Sequence, residues 1–295
     1  MSKPSTRNES NMPEKKNVFM QILDVVLPVV IYYFATGILL YVLNLIAQSY
    51  FVSQGDSGIR FLFDNAAAIS AVNNGIGMLF AAVLILRQFI RETAYQGQVV
   101  VIKLRKAIAP AWRNGIGRMR KLGRGIWLPV LLSICACIFL NLLIGGITAQ
   151  LGVGEYETVS LRQYSVSPIL AIVLYGVISP LAEEMIYRGI LLSKLSRYIN
   201  PLVGLIGSSL VFGLLHGNLV QGSYAVIMGF VLGLSYIVYN AFGVPLICHS
   251  VSNLVIYFLT IFGGALNQDV IKLPLFIVCG FLSGFLLVRM KNRML

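Results

Sequence analysis

Six polar side chains interrupt the apolar second half of this 295-residue chain: Glu183, Glu184, Arg188, His216, His249 and Asn253. His216 and His249 are the only two histidines. Residue types of this kind suit hydrolysis of a peptide bond, which needs a base to activate water, donors for the tetrahedral oxyanion and a dry pocket that preorganises both. Glu183, desolvated and beside an acidic neighbour, suits the base. Glu184 lies four residues before Arg188 on one helix face, so the arginine holds it ionised and it orients the site. His216 would hold the same water or pass the proton to the leaving amine. His249 and the Asn253 amide, four apart, would donate to the developing oxyanion.

The same residues admit competing chemistry. Glu183, His216 and His249 also form a catalytic zinc set with water in the open position, although the chain lacks HExxH and its histidines come from different helices. Metal-free catalysis, with no required cofactor, is the preferred reading, and zinc is its competitor. Buried Glu and His also build proton relays in transporters, but no repeat between the two halves supports that. A non-catalytic membrane scaffold using the same pocket is the third class.

The elements that must position these groups follow from composition. AVILMFWYC residues make up 57% and charged residues 12%, against roughly 45–50% and 25% in soluble chains. The apolar residues fall in runs at about 20–48, 64–86, 126–149, 168–192, 201–217, 222–242, 244–263 and 273–290. Each is on the order of the 17–25 residues that carry a helix across ~30 Å of hydrocarbon. The expectation is an all-α membrane protein, a bundle of eight transmembrane helices. Disorder, a disulfide scaffold and a soluble α/β enzyme are excluded. Cys135, Cys137, Cys248 and Cys279 all lie inside apolar runs and read as buried small hydrophobes.

A formal charge of +12 serves topology first. With both termini cytoplasmic, 20 of the 23 Lys and Arg fall on the cytoplasmic side and only Arg60, Arg162 and Lys272 on the other. That bias requires an even number of crossings. The first apolar run follows a hydrophilic stretch, Met1 to Asn17, and reads as a retained signal anchor. The loop at about 87–125 holds ten basic residues and the acid Glu92. It reads as a surface for anionic lipids rather than nucleic acid, each basic residue contributing about 1 kcal/mol. Asp24, near the cytoplasmic end of the first run, is expected to snorkel to the interface or cap its helix. Asn73, Asn74, Gly75 and Gly77 read as close helix packing with amide hydrogen bonds.

Asn200-Pro201 should break the chain between the fourth and fifth runs. Glu183 lies sixteen residues before Ile199 and His216 seventeen after, so an antiparallel hairpin brings them level. His249, one to two turns into the seventh run, meets them if the fourth and fifth runs project past the lipid. Lys194 and Arg197, which prefer water, support that projection. A fifth run broken at Gly213, Gly217 or Gly222 would also serve.

The runs Glu183-Glu184-Met185-Ile186-Tyr187-Arg188-Gly189, Phe212-Gly213-Leu214-Leu215-His216 and His249-Ser250-Val251-Ser252-Asn253 resemble, in order, the EExxxR, FxxxH and HxxxN motifs of the CAAX protease and bacteriocin-processing family of intramembrane endopeptidases. The resemblance covers about residues 165–265. Tyr187 departs mildly from it, standing where the family more often has Phe. The resemblance implies glutamate-dependent proteolysis with the roles given above, although family members have also been described as metalloproteases. It implies a membrane-tethered peptide or protein substrate, through CAAX-type C-terminal processing or through peptide pheromone or bacteriocin maturation or immunity. Residues 1–164 then form an N-terminal region of three transmembrane helices with the basic loop. Residues 165–295 form the catalytic core of five. A multi-pass protein, monomeric by default and in the plasma membrane if bacterial, is expected.

Overall fold

The computed structural model describes residues 17–108, 125–150, 165–262 and 269–291, and among them every regular element is a helix. In chain order these are α1 (Val18–Ser53), α2 (Asp56–Asp64), α3 (Ala66–Ile108), α4 (Trp127–Gln150), α5 (Pro168–Tyr198), α6 (Pro201–Leu214), α7 (Leu219–Tyr239), α8 (Gly243–Phe262) and α9 (Asp269–Lys291). Seven of them are long and apolar enough to cross a membrane, so the chain is an integral, multi-pass membrane protein.

The eighth expected crossing differs. α6 has 14 residues, about 21 Å at 1.5 Å per residue, short of the ~30 Å hydrocarbon layer. It ends because Gly217, at φ +81, takes the chain through the left-handed region that glycine tolerates. Asn218 then caps α7, its side chain accepting from Gln221 N at 2.7 Å. Two further departures lie in the first half. The connection near residue 55 folds into α2, and α3 continues to Ile108, so the first part of the basic segment is helical. The rest of that segment, 109–124, falls outside the described residues.

α5 starts where Ser167 accepts from Leu170 N and Pro168 occupies the first turn, whose N–H groups have no helical partner. Pro180 has no N–H for the Gly176 carbonyl, and its ring would press on that carbonyl in a regular α-turn. The helix relaxes by widening to π geometry at Leu174–Ile178, and does so again at Met185–Leu192. Side chains take up two main-chain carbonyls of these stretches. Asn253 Nδ2 donates to Tyr175 O at 3.1 Å and Ser193 Oγ to Arg188 O at 2.9 Å. The helix stops at Tyr198, and Asn200 caps α6 ahead of Pro201, as Asn-Pro implies.

Packing divides differently from the two sequence regions. α1 and α3 bury Tyr32, Met78, Ala81 and Ile85 against α5, whereas α4, from the N-terminal region, buries Leu132, Cys135 and Leu140 with α7, α8 and α9. All four cysteines are buried and free. Asn73 Nδ2 donates to Asn44 Oδ1 at 2.8 Å, and a Cβ on Gly77 would sit 2.9 Å from Thr36 O, so α1 and α3 pack through small residues and amides as expected. α6 and α7 cross more tightly still. A Cβ on Gly213 would lie 2.6 Å from Gly222 O. Gly213→Ala is therefore expected to force the helices apart at a cost of about 1–3 kcal/mol, read as a lower melting temperature in detergent.

The N-terminal end of α1, the part of α3 around Glu92 and the C-terminal end of α5 hold a buried ionic cluster that corrects two expectations. Pro28 leaves the Asp24 carbonyl without its helical donor. Lys194 supplies one instead, giving Nζ to Asp24 O at 2.6 Å and to Asp24 Oδ1 at 3.0 Å. Tyr198 donates to Asp24 Oδ2, and Arg197 holds Glu92 through two N–H groups, the shorter at 2.6 Å. Asp24 is thus neither a snorkelling group nor a cap. Lys194, fully buried, does not reach for water. With Arg188 buried as well, three of the twenty charges assigned to the cytoplasmic face serve internal pairing.

Candidate active site

α5 carries Glu183, Glu184 and Arg188, the turn after α6 carries His216, and α8 carries His249 and Asn253. Glu184 Oε1 accepts from Arg188 Nη1 at 2.7 Å and from His249 Nδ1 at 2.8 Å. Because Nδ1 faces a carboxylate it carries the ring proton, so Nε2 is the nitrogen turned towards Glu183, 3.6 Å from Oε2. Glu183 Oε1 accepts from Ser179 Oγ at 2.6 Å. Arg188 spends a second amino group on Gly229 O of α7 at 3.1 Å.

The two adjacent carboxylates therefore sit in different environments. Glu184 is 0% exposed and committed to two cations or donors, while Glu183 is 17% exposed and holds one hydroxyl. Burial of this kind keeps Glu184 in place only because Arg188, also 0% exposed, neutralises it.

Phe212 is the aromatic hub of the site. Its ring meets His216 at 4.6 Å, Tyr187 at 4.8 Å and His249 at 5.8 Å edge to face, and Arg188 lies over it at 4.7 Å. His216 Nδ1 donates to Phe212 O at 2.6 Å, which leaves Nε2 as the basic nitrogen of the ring. The structure thus links Glu183, Glu184, Arg188 and His249 directly, and joins His216 to them through Phe212. Asn253 stands one turn along α8 from His249 with one amide N–H on Tyr175 O. Its other N–H is the one that could serve an oxyanion.

Among the described residues no three His, Cys, Asp or Glu side chains come together as a metal-holding group.

Several neighbours escaped the reading of spacing. Ser179 was within reach of it, four residues before Glu183 on the same face. The contribution of α1 was not. Tyr33 and Tyr187 hydrogen-bond through their hydroxyls, and Tyr32, Tyr33 and Tyr187 all lie within electrostatic reach of Glu183. The hydroxyl that sets Tyr187 apart from the commoner Phe therefore docks α1 against the carboxylates.

Residues 165–255 match a family described as Type II CAAX prenyl endopeptidase Rce1-like. No curated protein and no solved structure matches the chain. The matched stretch opens just before α5 and closes inside α8, so it contains all six of the polar residues and the hydrogen bonds that join them. Over this stretch, about a third of the chain, the sequence is similar to that family of CAAX prenyl endopeptidases.

Proposed function

We propose that this chain hydrolyses a peptide bond in a membrane-tethered peptide or protein, with Glu183 as the general base on water. The observation that supports it best is the unequal pair of carboxylates: Arg188 and His249 tie down Glu184, while Glu183, aligned by Ser179, keeps an oxygen facing the Nε2 of His249. Water between Glu183 and His216 loses its proton to the carboxylate as its oxygen attacks the scissile carbonyl. Asn253 donates its second amide N–H to the oxyanion, and His249 joins it from Nε2 in the doubly protonated ring, since in the neutral ring that nitrogen holds a lone pair. The proton then passes from Glu183, by way of His216, to the leaving amine as the C–N bond breaks.

The substrate class is the one a membrane-embedded site suits, a chain end tethered by a lipid or an apolar segment. CAAX-type C-terminal processing and peptide pheromone or bacteriocin maturation or immunity are the two forms it takes. Eight crossings with cytoplasmic termini, α6 serving as a short one, place cleavage near the cytoplasmic side. The basic segment at about residues 87–125 meets anionic lipid there. A monomer by default, in the plasma membrane if the source is bacterial, completes the reading.

The test is cleavage of fluorogenic, farnesylated C-a-a-X peptides and of a hydrophobic peptide library by purified protein, with and without a strong zinc chelator. Cleavage that persists unchanged in chelator is the expected result for a glutamate-dependent protease. Loss in chelator, restored by added zinc, would move Glu183, His216 and His249 to a metal and overturn the metal-free mechanism. Absence of cleavage across both substrate sets would overturn the protease reading.

A further inference from the structure

Tyr32 is a buried hydroxyl with nothing to bond. It is 2% exposed, and its Oη has no hydrogen-bond partner among the described residues. Buried hydroxyls in native proteins are rarely left in this state, and one that is calls for an explanation. Its surroundings are those of the site. Tyr32 is buried in the same cluster as Ala182, Ile186, Tyr187 and Phe212, its ring packs edge to face on Tyr33 at 5.4 Å, and its hydroxyl lies within electrostatic reach of Glu183.

The placement of Tyr32 is held from two directions. Eight residues before it, Asp24 is gripped by Lys194 and Tyr198 of α5, and one residue after it, Tyr33 bonds Tyr187 of the same helix. α1 and α5 run antiparallel between these two points, which lie roughly 10–17 Å apart along each helix. A helix so fixed at two levels does not rotate Tyr32 away from Glu183. Glu183 has no need of this hydroxyl, since one oxygen takes Ser179 and the other faces His249. The donor is therefore kept for something that enters the site.

We propose that Tyr32 is a catalytic donor to the scissile carbonyl oxygen, supplied by a helix outside the residues that match the family. The inference rests on the protease reading above. As the water oxygen bonds the carbonyl carbon, the carbonyl π electrons move onto the oxygen, and the water proton goes to Glu183. Tyr32 gives that oxygen a hydrogen bond and keeps its own proton, so nothing further is consumed when the C–N bond breaks and the proton leaves with the amine. The role also accounts for the unpaired state, because the partner is present only during turnover.

The test compares wild type, Tyr32→Phe and Glu183→Gln on a fluorogenic, farnesylated C-a-a-X peptide, with melting curves of each. Tyr32→Phe removes no hydrogen bond from the resting protein, so its melting temperature should equal or exceed wild type. Its kcat should fall about 10²-fold with KM within about twofold, the mark of a donor used in the transition state. Unchanged kcat in Tyr32→Phe beside an inactive Glu183→Gln would overturn the role of Tyr32 and leave the protease reading standing. A raised KM alone, or a lowered melting temperature, would also overturn it by making Tyr32 a binding or packing residue. Full activity in Glu183→Gln would sink the underlying reading.

Discussion

Glu183→Gln is expected to lower kcat by about 10²–10⁴-fold, the range a positioned general base supplies, while the protein stays folded in detergent. The amide has the shape of the carboxyl group and keeps a carbonyl oxygen for Ser179, whose Oγ lies 2.6 Å from Glu183 Oε1. The group turned towards His249 Nε2, now 3.6 Å from Oε2, would become an NH₂ facing a ring lone pair, which it can satisfy by donating. Packing is therefore conserved and only basicity is lost. Stopped hydrolysis with an unchanged melting temperature and unchanged peptide binding would assign the proton transfer to this oxygen pair. The variant also separates the competing classes. A scaffold would tolerate the change, since its partner meets surface and shape, and turnover that survives it would sink the general-base role.

The difference between the two carboxylates was open to the sequence only in part. Spacing alone paired Glu184 with Arg188 at i, i+4, put His249 and Asn253 on one face and brought His216 level with Glu183 across an Asn-Pro turn. All of those relations are local or follow from counting residues along a hairpin. The grip of His249 on Glu184, 65 residues away, depends on where α8 lies beside α5, and periodicity in two uniformly apolar helices does not encode that. The end of α6 was legible in part, since Gly217 is one of the glycines at which the fifth run could break. Leu214 and Leu215 extend the apolar run, yet Gly217 decides where the helix ends.

The ionic cluster at Asp24 escaped for a different reason. Charge counting treats every Lys and Arg near a span end as seeking water, whereas Lys194 is buried by a carbonyl that Pro28 sets free on another helix. A proline four residues after an acid, opposite a lysine 170 residues on, is legible only once the helices are known to touch. The same holds for Tyr32 and Tyr33, which read as ordinary apolar residues of the first span until Tyr187 is seen to meet them.

Arg188→Ala should be the most damaging substitution in the site for stability, at about 3–5 kcal/mol, the cost of stranding one half of a buried ion pair. Arg188 is 0% exposed and holds Glu184 Oε1 at 2.7 Å and Gly229 O at 3.1 Å while its charge rests over Phe212. Without it Glu184 keeps only His249, and it would draw that ring away from Glu183 or take up a proton; either change disturbs the base. Activity and melting temperature should therefore fall together. Arg188→Lys should recover only part of both, since an ammonium is a point charge that cannot reproduce the planar two-point hold on α5 and α7. The double change Glu184→Leu with Arg188→Met removes both charges at similar volume and should restore much of the stability without restoring hydrolysis. That separation would show the pair acting to position His249 and Glu183 rather than merely to hold the bundle. A melting temperature for Arg188→Ala equal to that of wild type would mean that the ion pair does not carry the site.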